Sequence, residues 1–405
     1  MGCWAVSAPS ACEYTMNVAA VPASSRTGML RAGLVMLSIL AGFALLALFL
    51  RKAEGMVLAA IVAGIFTIVA LPASRNAAWR GLAILQAHPR AAVAACAIGA
   101  VLLPIFLHND GYWIHVLSIA MIFAIMAIGL NVHLGEIGLV NLGYAGLFAV
   151  GAYASTLLSQ AGAPFWLATL FAMTVCWTTG GLLGFFSVRT SGDYFALVTL
   201  GFGLIVQQLI INLTWLTQGN NGITNIPAVS MLGHTSKMPI DLGIVRLVPE
   251  TNFFYLCLVA LCGSLVLARH YQKVWIGRMW TALRQDAIGV SCFGLDVPRF
   301  KILTVAFGSM FAGLAGSLFA HEIGFISPDD FTLLHSVEVL ASVILGGIGN
   351  LFGVTVGAII LSVAPEKLRF LGDYRLLMYG AMLVVLLIYR PLGLLPDPRR
   401  RFESF

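Results

Sequence analysis

Long apolar runs separated by short polar stretches fill almost the whole chain. Runs long enough to cross about 30 Å of hydrocarbon lie at 33–50, 55–73, 91–108, 114–134, 139–159, 165–188, 194–216, 252–269, 302–322 and 375–390. A further apolar stretch, 337–364, is interrupted by Gly346-Gly347 and Gly349-Asn350. Each of its halves is about 13 residues long, too short to cross at 1.5 Å of rise per residue. The pattern predicts an all-α polytopic bundle of ten full spans plus one broken helical hairpin that turns at the glycines. Residues 1–30 are polar and small, without the basic start and apolar core of a signal peptide, and read as a disordered tail. Met16 and Met29 are alternative starts within it. Residues 31–90 then hold two extra spans and a cytoplasmic linker, and 91–397 the main transmembrane domain.

Not every apolar run suits a lipid-facing helix. Residues 129–153, GLNVHLGEIGLVNLGYAGLFAVGAY, carry six glycines in 25 positions, about one in four, with Asn131, Asn141, Tyr144 and Tyr153 among them. Small residues let helix backbones approach closely, and amides at membrane depth need protein or water partners. The segment is expected to pack inside the bundle beside a solute path, with Gly143, Gly146 and Gly151 on or near one helical face and Asn141 and Tyr144 supplying polar groups. A second stretch of the same flavour, 345–360, contributes Gly346, Gly347 and Asn350. Interrupted segments in two halves of a membrane chain point to a translocation path.

Charge sets the orientation. Only 10% of residues are charged, far below a soluble domain, and the net charge of +6 is concentrated in loops rather than interleaved with aromatics. Segment 269–301 holds Arg269, Lys273, Arg278, Arg284, Arg299 and Lys301 against Asp286 and Asp296, which predicts a cytoplasmic loop. Counting spans from it puts both termini, and Arg399 to Arg401, on the same side; Arg51 and Lys52 fall on the other. The loop 217–251 is then external, and its Gly, Asn and Pro residues predict a compact cap.

Chemistry is scarce. No phosphate loop, zinc-protease or serine-hydrolase motif occurs, and no Cys/His spacing fits a metal site. Four of the seven cysteines lie in apolar spans, where cysteine acts as a small hydrophobe. His133 and Glu136 read as a cytoplasmic turn, His321 and Glu322 as the outer end of a span, and Glu338 as the start of the broken hairpin, all interfacial. So few ionisable residues in mid-span argue against a proton-driven transporter and for an energy source outside the chain. Its docking element is read in 276–290, where Ile276, Trp280, Leu283, Ala287 and Val290 recur at steps of four and three as one amphipathic helix. Such a helix lies on a membrane surface or inserts into a partner's groove.

Several blocks occur together in order: the 129–153 segment, SGDYFALVTLGFGLIVQQ (191–208), GRMWTALRQDAIGVSCFGLDVPRFK (277–301), GFISPDDFT (324–332), VILGGIGNLFG (343–353) and YRPLGLLP (389–396). As a set they resemble the permease subunits of branched-chain amino acid ABC importers, specifically the LivM type, over about residues 110 to 397. The resemblance implies a multi-pass subunit of the bacterial inner membrane, with no catalytic residue, metal or cofactor of its own. Its implied partners are a sister permease, two cytoplasmic ATPases and a periplasmic substrate-binding protein, with leucine, isoleucine or valine as solute; urea, amides or other small polar solutes are alternatives. It further implies that Gly277, Arg278, Ala282, Leu283, Arg284, Asp286 and Gly294 form the ATPase-coupling loop. Leu204 and Gln207 stand where the family has an acidic and a basic residue three apart.

Overall fold

The structure is a computed structural model, and it describes residues 89–107, 110–189, 192–231, 249–374, the short pieces 234–235, 240–241 and 246–247, and scattered positions between 377 and 395. The tail, the spans expected at 33–50 and 55–73, and Arg399 to Arg401 lie outside the described residues, as does most of 375–390. The described residues belong to two compact units, of which the first holds only 89–103, the larger part of helix α1 (Pro89–Phe106). The second unit holds every described residue from Pro104 onward.

Among its described residues, the regular structure of this second unit is helical apart from two antiparallel pairings of two residues each, Ser230–Met231 with His234–Thr235 and Ile240–Asp241 with Arg246–Leu247, within the loop expected outside. Among the described residues five helices are long and apolar enough to cross a membrane: α2 (Gly111–Asn131, with its extension to Glu136), α4 (Phe165–Arg189), α5 (Gly192–Asn212), α6 (Pro249–Lys273) and α9 (Val297–Ile323). Helix α3 (Tyr144–Gln160) is shorter than the run that predicts it, because residues 137–143 are not helical. At about 1.5 Å per residue it reaches about 25 Å.

Helix α9 is the hub. Asp296 caps its start, accepting from the Arg299 amide at 3.3 Å, and Pro298 occupies the first turn, where a missing N–H costs nothing. Gly324, at φ 77°, ends it. Between these ends α9 packs against α4, α3 and α2 through glycines that leave no room for a side chain. A Cβ on Gly313 would stand 2.7 Å from the Ala172 carbonyl oxygen, and one on Gly316 2.3 Å from that of Phe148.

The broken hairpin folds as its glycines predict. Helices α10 (Leu333–Gly346) and α11 (Leu351–Lys367) meet at a turn in which Gly347 and Gly349 take φ of 110° and 91°. Past α5, residues 217–227 bend through left-handed Gln218, Gly219 and Gly222 and pair with the end of α9 through Ile223 and Ile326, which exchange backbone bonds of 2.8 and 3.1 Å. The following SPDDF is a capped turn in which the Ser327 amide donates to Asp330 at 2.8 Å.

Candidate functional site

Helix α2 widens at its end into one π-helical turn, Val132–Glu136. Such turns are rare and concentrate at functional sites. His133 is fully buried and Glu136 only 6% exposed, so the expectation that both are interfacial fails, as it does for buried His321. The reason is tertiary: non-helical backbone at membrane depth survives only where protein covers it, and here the helix Trp275–Gln285, α9 and the hairpin supply the cover. His133 Nε2 lies 2.9 Å from the Val305 carbonyl oxygen, which can only accept, so Nε2 carries the proton. Its Nδ1 then accepts from the Asn141 amide at 3.3 Å.

Asn141 also accepts the Gly143 N–H at 3.0 Å, turning the chain into α3. The Tyr144 hydroxyl donates to the Gly308 carbonyl at 2.8 Å. Leu142 and Ala145 N–H donate to the Thr199 and Ser336 hydroxyls at 3.0 and 2.8 Å. The helix start is thus held by side chains of α5 and α10. The three glycines do not share a face. A Cβ on Gly143 would lie 1.9 Å from the Thr199 oxygen and one on Gly146 3.0 Å from Gly203 Cα, both on α5, whereas Gly151 meets Gly313 of α9 at 2.6 Å. The five-residue step from Gly146 to Gly151 is about 140° at 3.6 residues per turn, enough to reach a different neighbour.

At the hairpin turn, Asn350 caps α11 by accepting from the Phe352 amide at 3.2 Å and donates to the Leu395 carbonyl at 2.9 Å. Gly346 packs on Gly353, whose carbonyl oxygen would lie 2.4 Å from an added Cβ, and Gly347 faces Gly393. Asn131 reaches this turn from α2: its Oδ1 accepts the Gly349 N–H at 2.8 Å, while its buried Nδ2 has no partner. In sequence Asn131 is one more amide in a glycine-rich run, and nothing local reveals a partner 218 positions away.

The loop after α6 departs from the expected single helix. It is α7 (Trp275–Gln285) and α8 (Ala287–Cys292), broken at Asp286, whose extended backbone and side chain cap α8 by accepting from the Ile288 and Gly289 amides at 2.9 Å each. Carboxylates cap helix starts well, a use of Asp286 that the apolar periodicity of 276–290 conceals. The apolar stripe faces inward: Trp280, Leu283 and Val290 are buried, with Trp280 against Tyr271 and Phe307. Gly277 lets α7 fold back on α6, since its Cβ would meet the Tyr271 carbonyl oxygen at 2.5 Å. Ala282 accepts the Asp286 N–H, Arg278 is exposed, and Gly294 turns the chain at φ 76°. The side facing away from the bundle presents Ile288 and Phe293, 77% and 87% exposed.

Arg284 ties this loop to the π turn. Its guanidinium donates to the carbonyl oxygens of Leu134 and Gly135 at 3.2 and 2.8 Å, and Gln272 donates to Glu136 at 2.6 Å. No group of three or more His, Cys, Asp or Glu among the described residues could hold a metal ion.

The family described as the branched-chain amino acid transport system / permease component matches residues 112–387. The high-affinity branched-chain amino acid transport system permease proteins LivM of Salmonella typhimurium and Escherichia coli are each 40% identical over 303 residues, 72% of this chain and 71% of theirs. LivH of Escherichia coli is 24% identical over 296 residues, 68% of this chain and 92% of its own. No solved structure matches. A family match over most of the chain and 40% identity to LivM leave one assignment: the protein belongs to the branched-chain amino acid transport permease family.

Proposed function

We propose that the chain is one membrane-spanning half of an ATP-driven importer of branched-chain amino acids, lying in the bacterial inner membrane with 269–301 in the cytoplasm. The identity to LivM supports the solute and the class. The sequence carries no ATPase motif, so energy comes from separate subunits, and a binding protein delivers the solute outside. The ATPases dock on the exposed side of α7 and α8, where Ile288 and Phe293 present apolar surface and Arg278 is also exposed. Arg284 carries movement of that loop to the π turn, and Asn131 carries it on to the Gly347–Asn350 turn. Gly143, Tyr144 and Gly146 at the start of α3, together with Asn141, adjoin the path.

The observation that carries this reading is that one short stretch of chain, Asn131–Gly135, is hydrogen-bonded to the loop through Arg284 at one end and to the hairpin turn through Asn131 at the other. Leucine uptake by cells lacking their own systems tests it. Uptake is expected only when this chain, a sister permease, the ATPases and a binding protein are all present. Uptake without the ATPases, or of urea or amides but not leucine, would overturn it. Single cysteines replacing Phe293 and exposed Asn220, in a background without native cysteines, should label from opposite sides; labelling of both from outside refutes the orientation.

A further inference from the structure

Helix α5 is covered over only 17% of its most apolar window, the least of the five membrane-length helices. Its open side carries Leu197, Gly201, Ile205, Gln208 and Asn212, at steps of four, four, three and four, which places them on one seam. Leu197 and Ile205 are both 64% exposed, and a Cβ on Gly201 would meet nothing within 4 Å. Helix α4 offers the contrast. Its open side holds Leu167, Leu170, Leu182, Phe185 and Phe186, and its exposed hydroxyls are folded onto their own helix, Thr174 to the Leu170 carbonyl and Thr178 to that of Val175, both at 2.8 Å. That surface suits lipid. On α5, Asn212 likewise donates to the Gln208 carbonyl at 2.7 Å, but the side chains of Gln207 and Gln208 make no hydrogen bond among the described residues. An amide without a partner in hydrocarbon costs several kcal/mol, so something other than lipid chains covers this side.

We infer that the α5 seam is the face on which the sister permease sits, a helical chain that brings polar groups to the level of Gln207 and Gln208. This rests on the importer reading above. The occupant is argued from this chain's own relatives: LivM and LivH of one organism both match it, LivH over 92% of its length, so a partner of the LivH kind shares this helix order. Two chains of like fold related by a near-twofold axis present the same surface to each other, and α5 then meets its counterpart. The shallow crevice beside the seam, lined by Gly146, Gly203, Leu204, Gln207 and Ser336, opens toward that partner and becomes a shared wall of the solute path.

The test is cross-linking in the assembled complex, purified through a tag on the ATPase. Cysteines replacing Ile205 and Gln208 are paired with single cysteines along the matching helix of the sister chain, and Val259→Cys on open α6 serves as control. Cross-linked species joining the two permeases are expected from α5 and not from α6, and Gly201→Trp should lower the co-purifying sister at least tenfold while changing this chain's abundance less than twofold. If the sister co-purifies but α5 cysteines do not cross-link and are quenched by lipid-borne probes, the seam faces lipid; the inference falls and the importer reading stands. Cross-linking of this chain to itself refutes the sister as occupant. Absence of any sister from an active complex overturns the importer reading along with the seam.

Discussion

Helices α9 and α5 are both long, apolar and membrane-spanning by composition, yet 78% of the α9 window is buried inside the chain and only 17% of the α5 window. Apolarity therefore says that a helix belongs in a bilayer and nothing about where in a bundle it goes. Position follows from small residues meeting small residues. Gly308, Gly313 and Gly316 of α9 each face backbone or side-chain atoms that leave no room for a Cβ, whereas Gly201 of α5 faces open space. Among the described residues, one helix is enclosed by its own chain and the other is left open.

The largest effect should come from filling the hub. In Gly316→Leu the new side chain starts 2.3 Å from a carbonyl oxygen of α3, beyond the overpacking that costs about 1–3 kcal/mol. Size-exclusion profiles in detergent should show little folded protein. Gly201→Leu is the matched change on α5, and its profile for the chain expressed alone should be unaltered. Equal behaviour of the two would erase the contrast between the helices.

Gly146→Leu comes next, because it tests a place where α5 packs closely on α3. Its Cβ would lie 3.0 Å from Gly203 Cα, a contact relieved only by parting α3 from α5, at about 1–3 kcal/mol. Leucine uptake is expected to fall much further than protein abundance. Proportional losses would mean that the contact serves folding alone.

Smaller still in stability, but sharp in mechanism, is Arg284→Met. It removes two charge-assisted bonds to the π turn, at about 1–2 kcal/mol for a half-buried group. The assembled complex should keep hydrolysing ATP while transporting fewer solutes per ATP, and Arg284→Lys should restore part of that ratio. An unchanged ratio with both variants would remove Arg284 from the transmission route.

The least effect on the fold is expected from Phe293→Ala. The ring is 87% exposed, and surface changes of this kind are worth within about 0.5 kcal/mol, yet ATPase co-purification should drop. Leu283→Asp, at the site where sequence alone would put the docking contact, should instead unfold the loop, because Leu283 is buried in the permease itself. Thermal stability of the two variants without partners separates these outcomes.

Much of the architecture is legible in the residues. Hydrophobic length marks the spans, Gly347 and Gly349 mark the hairpin turn, and the step-of-three-and-four pattern marks α7. What misleads is direction. An amphipathic stripe states that one face is apolar, not whether it turns to a partner or to its own bundle; Trp280 packed against Tyr271 and Phe307 decides that here. Likewise His133 and Glu136 look interfacial because charge near a span end usually is, and they are buried only because α9 and α6 supply the Val305 carbonyl and Gln272 as partners.

By itself the sequence determined that this is a helical membrane chain, where its turns fall, and which family it resembles, since local hydropathy and glycine placement act over a few residues. Tertiary structure alone decided that α9 is the hub, that Gly146 and Gly151 serve different neighbours, and that Asn131 bonds Gly349 across 218 positions. Those outcomes depend on which backbones come within hydrogen-bonding or van der Waals reach, and that distance is fixed only when all the helices pack at once.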